Sequence, residues 1–185
     1  MFNDLKINSG LIWGKVRIDT IKEHIVLSNI DKKALIEEYR EYVMTNHNRF
    51  VNVFDGAKEL FSELHKLGVH IGVVTSKRKD VAFYGLKQFG LDKYCEILVD
   101  CDDVKNFKPH PEGVLKALEY FNVSPCEALM VGDSKSDMLA GKNAGMKVCA
   151  VEDNFSKPQE ELKRALADYY IQDYDDIKNN TYEVL

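Results

Sequence analysis

The chain has no run of about 18 apolar residues, so it offers no candidate transmembrane helix. It has no excess of positive charge: 25 Lys and Arg stand against 30 Asp and Glu, a formal net charge of -5. Nucleic acid is therefore not expected as the main partner, because binding a phosphate backbone needs a basic face. Met1-Phe2-Asn3-Asp4-Leu5-Lys6 lacks the basic start and apolar stretch of a signal peptide. No two of the four cysteines, Cys95, Cys101, Cys126 and Cys149, form a C-x-x-C pair. That spacing argues against zinc and for reduced thiols in the cytoplasm, mostly packed as small hydrophobes. Internal repeats and low-complexity tracts are absent.

At 185 residues the chain is long enough for one full core and a small second lobe. From about residue 51, helical and strand patterns alternate. Gly56 to Gly68 places Leu60, Phe61, Leu64 and Leu67 on one helical face and stops at a glycine. Val69 to Thr75 reads as a strand, Asp80 to Gly90 as a helix and Ile97-Leu98-Val99 as a short strand. Pro111 to Phe121 reads as a helix with Pro111 in its first turn. Ala128 to Val131, Lys147 to Val151 and Tyr169 to Ile171 read as strands, and Ser136 to Ala144 and Gln159 to Ala167 as helices. The expected class is α/β: a Rossmann-like parallel sheet covered by helices on both faces. The first 50 residues differ, with an amphipathic helix from Lys33 to Thr45 carrying Leu35, Ile36, Tyr39, Tyr42 and Val43. A domain boundary is expected near Asn48 to Val53, dividing the chain into 1–50 and 51–185.

In open parallel sheets, sites form beyond the carboxyl ends of the strands, and three segments carry suitable chemistry there. Thr75 and Ser76 follow the strand Val73-Val74, where a hydroxyl and backbone N–H groups hold a phosphate oxygen or, alternatively, the hydroxyl caps the next helix. Lys108 precedes Pro109, which favours a loop, and a loop lysine neutralises charge on a phosphoryl group or is simply solvated. Gly132-Asp133-Ser134-Lys135-Ser136-Asp137 sets two carboxylates at a strand end and a helix start. Such a pair suits Mg²⁺, a hard cation that takes one or two carboxylates beside a phosphate; the alternative is a turn aspartate and a dipole-favoured helix aspartate.

In this order, the three segments resemble motifs two, three and four of the haloacid dehalogenase superfamily, most of whose members are Mg²⁺-dependent phosphatases. The resemblance runs from about Gly56 to Asp176 and includes Lys108-Pro109-His110-Pro111-Glu112 and the Gly132-Asp133 … Ala144-Gly145 frame. It is nearest to the phosphoglycolate phosphatase and bacterial pyrophosphatase branch. It implies Thr75 as a phosphate-binding hydroxyl, Lys108 as the lysine between nucleophile and phosphate, Asp133 and Asp137 as metal-side acids, and Mg²⁺ as cofactor. The substrate implied is a small phosphate ester or pyrophosphate, attacked by an aspartate to give an aspartyl-phosphate.

The family opens with an apolar strand ending Asp-x-Asp-x-Thr, whose first aspartate is the nucleophile and whose second is the general acid–base. Nothing upstream of Thr75 matches it. Val16-Arg17-Ile18-Asp19-Thr20 has one carboxylate, and Asp55 sits where a helix N-cap is expected. Asp100-Cys101-Asp102 has the spacing but follows the third strand and lacks the Gly-Thr, so it reads as a solvated loop cluster. Residues 11 to 50 resemble only the second half of the family's cap. The resemblance therefore implies a missing N-terminal stretch of roughly 45 residues, by comparison with ordinary domain lengths. That stretch holds the sheet's central strand. Its place is expected to be filled by residues 10 to 18, by another chain or a second copy at the open sheet edge, or not at all. Little or no turnover is expected of this chain, with a non-catalytic phosphate- or partner-binding protein, or a truncated gene product, as the alternatives.

Overall fold

The computed structural model describes residues 51–54, 56–151 and 166–171, together with 34, 37, 38, 41, 42, 45 and 164. The chain divides into two compact units, Met1–Phe50 and Val51–Leu185. In the first, Ala34, Glu37, Glu38, Glu41, Tyr42 and Thr45 are helical and exposed, inside the helix expected from Lys33 to Thr45. Leu35, Ile36, Tyr39 and Val43, the remainder of its apolar set, lie outside the described residues, as do residues 10 to 18 and Asp55.

In the second unit the elements run α1 (Ala57–Lys66), β1 (Gly72–Val74), α2 (Lys79–Gln88), β2 (Ile97–Val99), α3 (Glu112–Phe121), β3 (Leu129–Gly132), α4 (Lys135–Asn143), β4 (Lys147–Val151) and β5 (Tyr169–Ile171). The α/β alternation follows the sequence pattern closely. Gly56, in the left-handed region with φ 78°, takes the N-cap position of α1 that Asp55 was expected to fill. Arg164 and Leu166 are helical, within the helix expected to end at Ala167.

Among the described residues all strand pairs are parallel, and they form two sheets rather than one. β1 pairs with β2, register Gly72↔Ile97 to Val74↔Val99. β3, β4 and β5 form the other sheet, with Leu129↔Lys147 and Cys149↔Tyr169 fixing the register. β1 is shorter than the expected Val69–Thr75, and β2, the strand it pairs with among the described residues, is itself three residues long. Hydrogen bonds from Glu96 N to Ile71 O and from Thr75 N to Val99 O carry the ladder one residue further at each end.

β4 shows why a continuous apolar run suits this fold. Side chains alternate across a strand, so Val148 and Ala150 fall on one face and Cys149 and Val151 on the other. The first pair packs with Met138 of α4, the second with Leu60 of α1 and Ile171 of β5. Both faces are covered, and four of the five residues are buried. α4 can lie this close to the sheet because of Gly141: a Cβ there would fall 2.5 Å from Val148 Cγ1 and 2.8 Å from Met130 Cβ. A third cluster joins the two sheets. Val114 and Leu118 of α3 pack with Ala140, Ala144 and Met146, and both Val74 of β1 and Met130 of β3 rest against them.

The cysteines are free and only Cys149 is buried; Cys126 is exposed, and Cys95 and Cys101 are intermediate. The expectation that most would pack as small hydrophobes thus holds for Cys149 alone, because Cys126 sits in a surface 3₁₀ turn rather than a strand. Burial pushes the Cys149 thiol up to about 11, which keeps it protonated and inert.

Candidate active site

Each segment singled out in the sequence lies at the carboxyl end of a strand or in the loop between. β1 delivers Thr75 beside the Val74 carbonyl. The Thr75 hydroxyl accepts a hydrogen bond from Lys77 N at 3.1 Å, which turns the chain before α2. The residue that caps α2 is Arg78, so neither Thr75 nor Ser76 serves as the cap that was the alternative for them. Ser76 is exposed.

β3 ends at Gly132, and α4 begins three residues later behind a capping box. Ser134 Oγ accepts from Asp137 N at 3.2 Å, while Asp137 Oδ2 accepts from Ser134 N at 3.1 Å and from Ser134 Oγ at 2.6 Å. This reciprocal pair satisfies two orphan donors at the helix start and fixes the carboxylate. The turn leaves no room for a side chain at Gly132, where a Cβ would lie 2.4 Å from Asp137 Cβ. The Ser134-x-x-Asp137 spacing is the signal of this cap in the sequence.

Lys108 joins the two sheets. Its Nζ donates to Val74 O at 2.9 Å and to Asp137 Oδ1 at 2.6 Å. Its side chain is 14% exposed and that of Asp137 8%. The carboxyl ends of β1 and β3 are thus linked through one ammonium, held between Val74 O and Asp137 Oδ1. Asp133, next to this cluster in sequence, is exposed.

The loop that carries Lys108 is clamped at three points. Glu112 accepts from Lys105 N, Asn106 N and Asn106 Nδ2 at 2.9, 2.9 and 3.0 Å. Asn143 of α4 donates to Pro109 O at 3.0 Å, and Lys108 itself anchors the third point. The Lys108–Pro109 peptide is cis. Those backbone N–H groups hold the Glu112 carboxyl below its ordinary value. A carboxylate with a depressed folded-state pKa contributes its full stabilisation above the unfolded value and loses it as pH falls through the folded one. Amide exchange at Lys105 and Asn106, corrected for intrinsic rates, is therefore expected to accelerate as pH drops through that window. The acceleration is expected to be absent in Glu112→Gln; hydrogen-exchange NMR reads both.

Asp100 departs from the expected solvated cluster: it is 2% exposed. Its Oδ1 accepts from Asp102 N at 2.6 Å and Asp103 N at 3.3 Å, and Asp103 Oδ2 accepts from Asp100 N. It closes the turn after β2, a use of aspartate that its place at a strand end signalled.

The donor chemistry bears on Mg²⁺. Asp137 has both oxygens engaged, Oδ1 by Lys108 and Oδ2 by Ser134. Asp133 is an exposed carboxylate one residue beyond β3, and its hard oxygens fit a cation that keeps several waters.

Residues 14–151 match the haloacid dehalogenase-like hydrolase family, and the chain belongs to it. It is 40% identical over 131 residues to the pyrophosphatase PpaX of Bacillus thuringiensis, covering 69% of this chain and 61% of that protein. A relative from Caldanaerobacter subterraneus is 42% identical over 141 residues, 76% of this chain and 64% of its own length. The chain thus spans less than two thirds of the curated relatives it matches. A HAD-superfamily hydrolase of subfamily IA from Geobacter sulfurreducens superposes with a TM-score of 0.59 at 30% identity, over 81% of this chain and 60% of that one. The β-phosphoglucomutase of Clostridium difficile shares the fold, with a TM-score of 0.75 at 19% identity over 100% of this chain and 87% of that one. Among the described residues no helix is long and apolar enough to cross a membrane.

Proposed function

We propose that this chain carries the phosphate- and metal-binding half of a phosphatase or pyrophosphatase site, and that its nucleophilic half is not encoded in these 185 residues. The observation that carries the reading is the Lys108 ammonium held between Val74 O and Asp137. A phosphoryl group placed there meets a largely buried positive charge at the strand end that Thr75 follows, and such a charge stabilises anionic oxygens. Lys108 binds the phosphate, Thr75 and Ser76 supply hydrogen bonds, Asp133 holds Mg²⁺ on the metal side, and Asp137 orients Lys108. Bound Mg²⁺ supplies charge neutralisation at the phosphate oxygens. The substrate class is a small phosphate ester or pyrophosphate. Residues 1–50 correspond on this reading to part of a helical cap.

No Asp-x-Asp-x-Thr occurs in the sequence, so the aspartyl-phosphate route has no nucleophile in this chain. With Mg²⁺ and p-nitrophenyl phosphate, acetyl phosphate or pyrophosphate, turnover is expected to stay at background. Phosphate with Mg²⁺ is expected to raise the melting temperature of the parent and not of Lys108→Met. Turnover that disappears in Asp133→Asn, or a phosphate shift that survives Lys108→Met, overturns the assignment.

A further inference from the structure

Asp100-Cys101-Asp102-Asp103 sets three carboxylates in four residues, a composition suited to a solvated turn. Asp102 and Asp103 are exposed accordingly, yet Asp100 is 2% exposed. An aspartate left in water closes a turn as well; a buried carboxylate needs donors to offset its desolvation. Asp100 Oδ1 accepts from Asp102 N at 2.6 Å and from Asp103 N at 3.3 Å, and Asp100 N donates to Asp103 Oδ2 at 3.1 Å. α3 ties down the same turn through Lys116 Nζ, which donates to Asp103 O.

This turn holds the segment Thr75 to Lys77. Thr75 N donates to Val99 O at 2.9 Å, which continues the β1–β2 ladder. A regular parallel ladder would next send Cys101 N to Thr75 O. Cys101 N donates instead to Lys77 O at 3.2 Å, so the chain leaving β1 has turned across the end of β2. Lys77 is thereby fixed on both sides: its N donates to Thr75 Oγ1 at 3.1 Å, and its O accepts from Cys101. The two bonds that hang this segment on β2 come from the residues immediately before and after Asp100.

We propose that Asp100 is a positioning residue for the phosphate subsite. By folding the Asp102 and Asp103 amides onto its own oxygen, it aims Cys101 N at Lys77 O. Lys77 N in turn sets the orientation of the Thr75 hydroxyl. That hydroxyl serves Lys77 as an acceptor, and its single O–H is the donor for an anionic oxygen. Asp100 touches no ligand and acts through Cys101, Lys77 and Thr75. The chain of hydrogen bonds stands by itself; its bearing on phosphate rests on the proposed function.

Titration with inorganic phosphate in the presence of Mg²⁺, followed by NMR at the amides of Thr75, Ser76 and Lys77, tests this. Asp100→Ala is expected to weaken phosphate at least about fivefold, the lower end of ordinary coupling between sites. Asp100→Asn keeps an acceptor oxygen and is expected to stay within about twofold of the parent. In a Thr75→Val background, Asp100→Ala is expected to change affinity by less than about twofold, because the hydroxyl it positions is gone. A general loosening of the fold would weaken phosphate by the same factor in both backgrounds, and that result overturns the proposal. Where Asp100→Ala fails to fold, the unaltered chain decides. Coupling is reciprocal, so saturating phosphate is expected to slow amide exchange at Cys101, Asp102 and Asp103 by about the same fivefold. Phosphate shifts at Thr75 to Lys77 without that slowing overturn the proposal. Binding that is lost in Lys108→Met but unchanged in Asp100→Ala keeps the proposed function and removes only the role of Asp100. No phosphate response in the parent removes both.

Discussion

A Lys108→Met variant is expected to unfold about 3 kcal/mol more easily than the parent in urea, at the low end of what breaking one partner of a buried ion pair costs. The Asp137 carboxylate would stay in place, 8% exposed and still held by Ser134, with its counter-charge gone. The low end applies because the pair retains some contact with water. The melting temperature is expected to fall by roughly 6–12 °C for a chain of this size. Combining Lys108→Met with Asp137→Asn is expected to recover much of the loss, because the double variant leaves no unpaired charge at this site. A double-mutant cycle in which the two effects simply add would show that the 2.6 Å contact carries no energetic coupling.

Met138→Ala is expected to be about as damaging, at about 3 kcal/mol, for a different reason. Met138 is 0% exposed and packs with Val148 and Ala150, with Met130, Leu166, Ala167 and Tyr170 around it. Truncation leaves a cavity between α4 and the sheet that this close approach cannot readily collapse, since Gly141 already brings helix and sheet into contact. Met138→Leu, which keeps the volume, is expected to cost less than about 1.5 kcal/mol. Leu115→Ala, on the outward face of α3 and 45% exposed, is expected to change stability by less than about 0.5 kcal/mol. Equilibrium urea unfolding of the three variants orders them, and a Met138→Ala loss no greater than that of Leu115→Ala would contradict this account of the core.

Much of the fold was legible because it follows from local pattern. The apolar run Lys147 to Val151 came out as β4 with its bounds intact, since a strand buried on both faces needs no polar alternation. Gly145, with φ 82°, ends the helix where a residue tolerant of the left-handed region is needed. Strand length was less legible. Val69 to Thr75 has the composition of a seven-residue strand, but pairing is set by the neighbour, and the neighbour β2 is short. Asp100 was misjudged for a related reason: a carboxylate beside other acids reads as solvated until the turn folds back and hands it two N–H groups. Glu112 and Asn143 were not singled out for their roles in clamping the Lys108 loop, because their partners are backbone atoms whose positions composition does not encode.

The sequence by itself determined the α/β alternation and the family, and it singled out Thr75, Lys108, Asp133 and Asp137 as the candidates for phosphate chemistry. It determined the absence of Asp-x-Asp-x-Thr as well, since a covalent motif is present in the letters or it is not. Only the tertiary structure decided which of these residues pair. Lys108 and Asp137 are 29 positions apart, and whether they pair depends on where two strands end and how a clamped loop crosses between them. The division of one expected sheet into two among the described residues also belongs to the tertiary level, because hydrogen-bond pairing is a property of neighbouring strands and not of any strand alone.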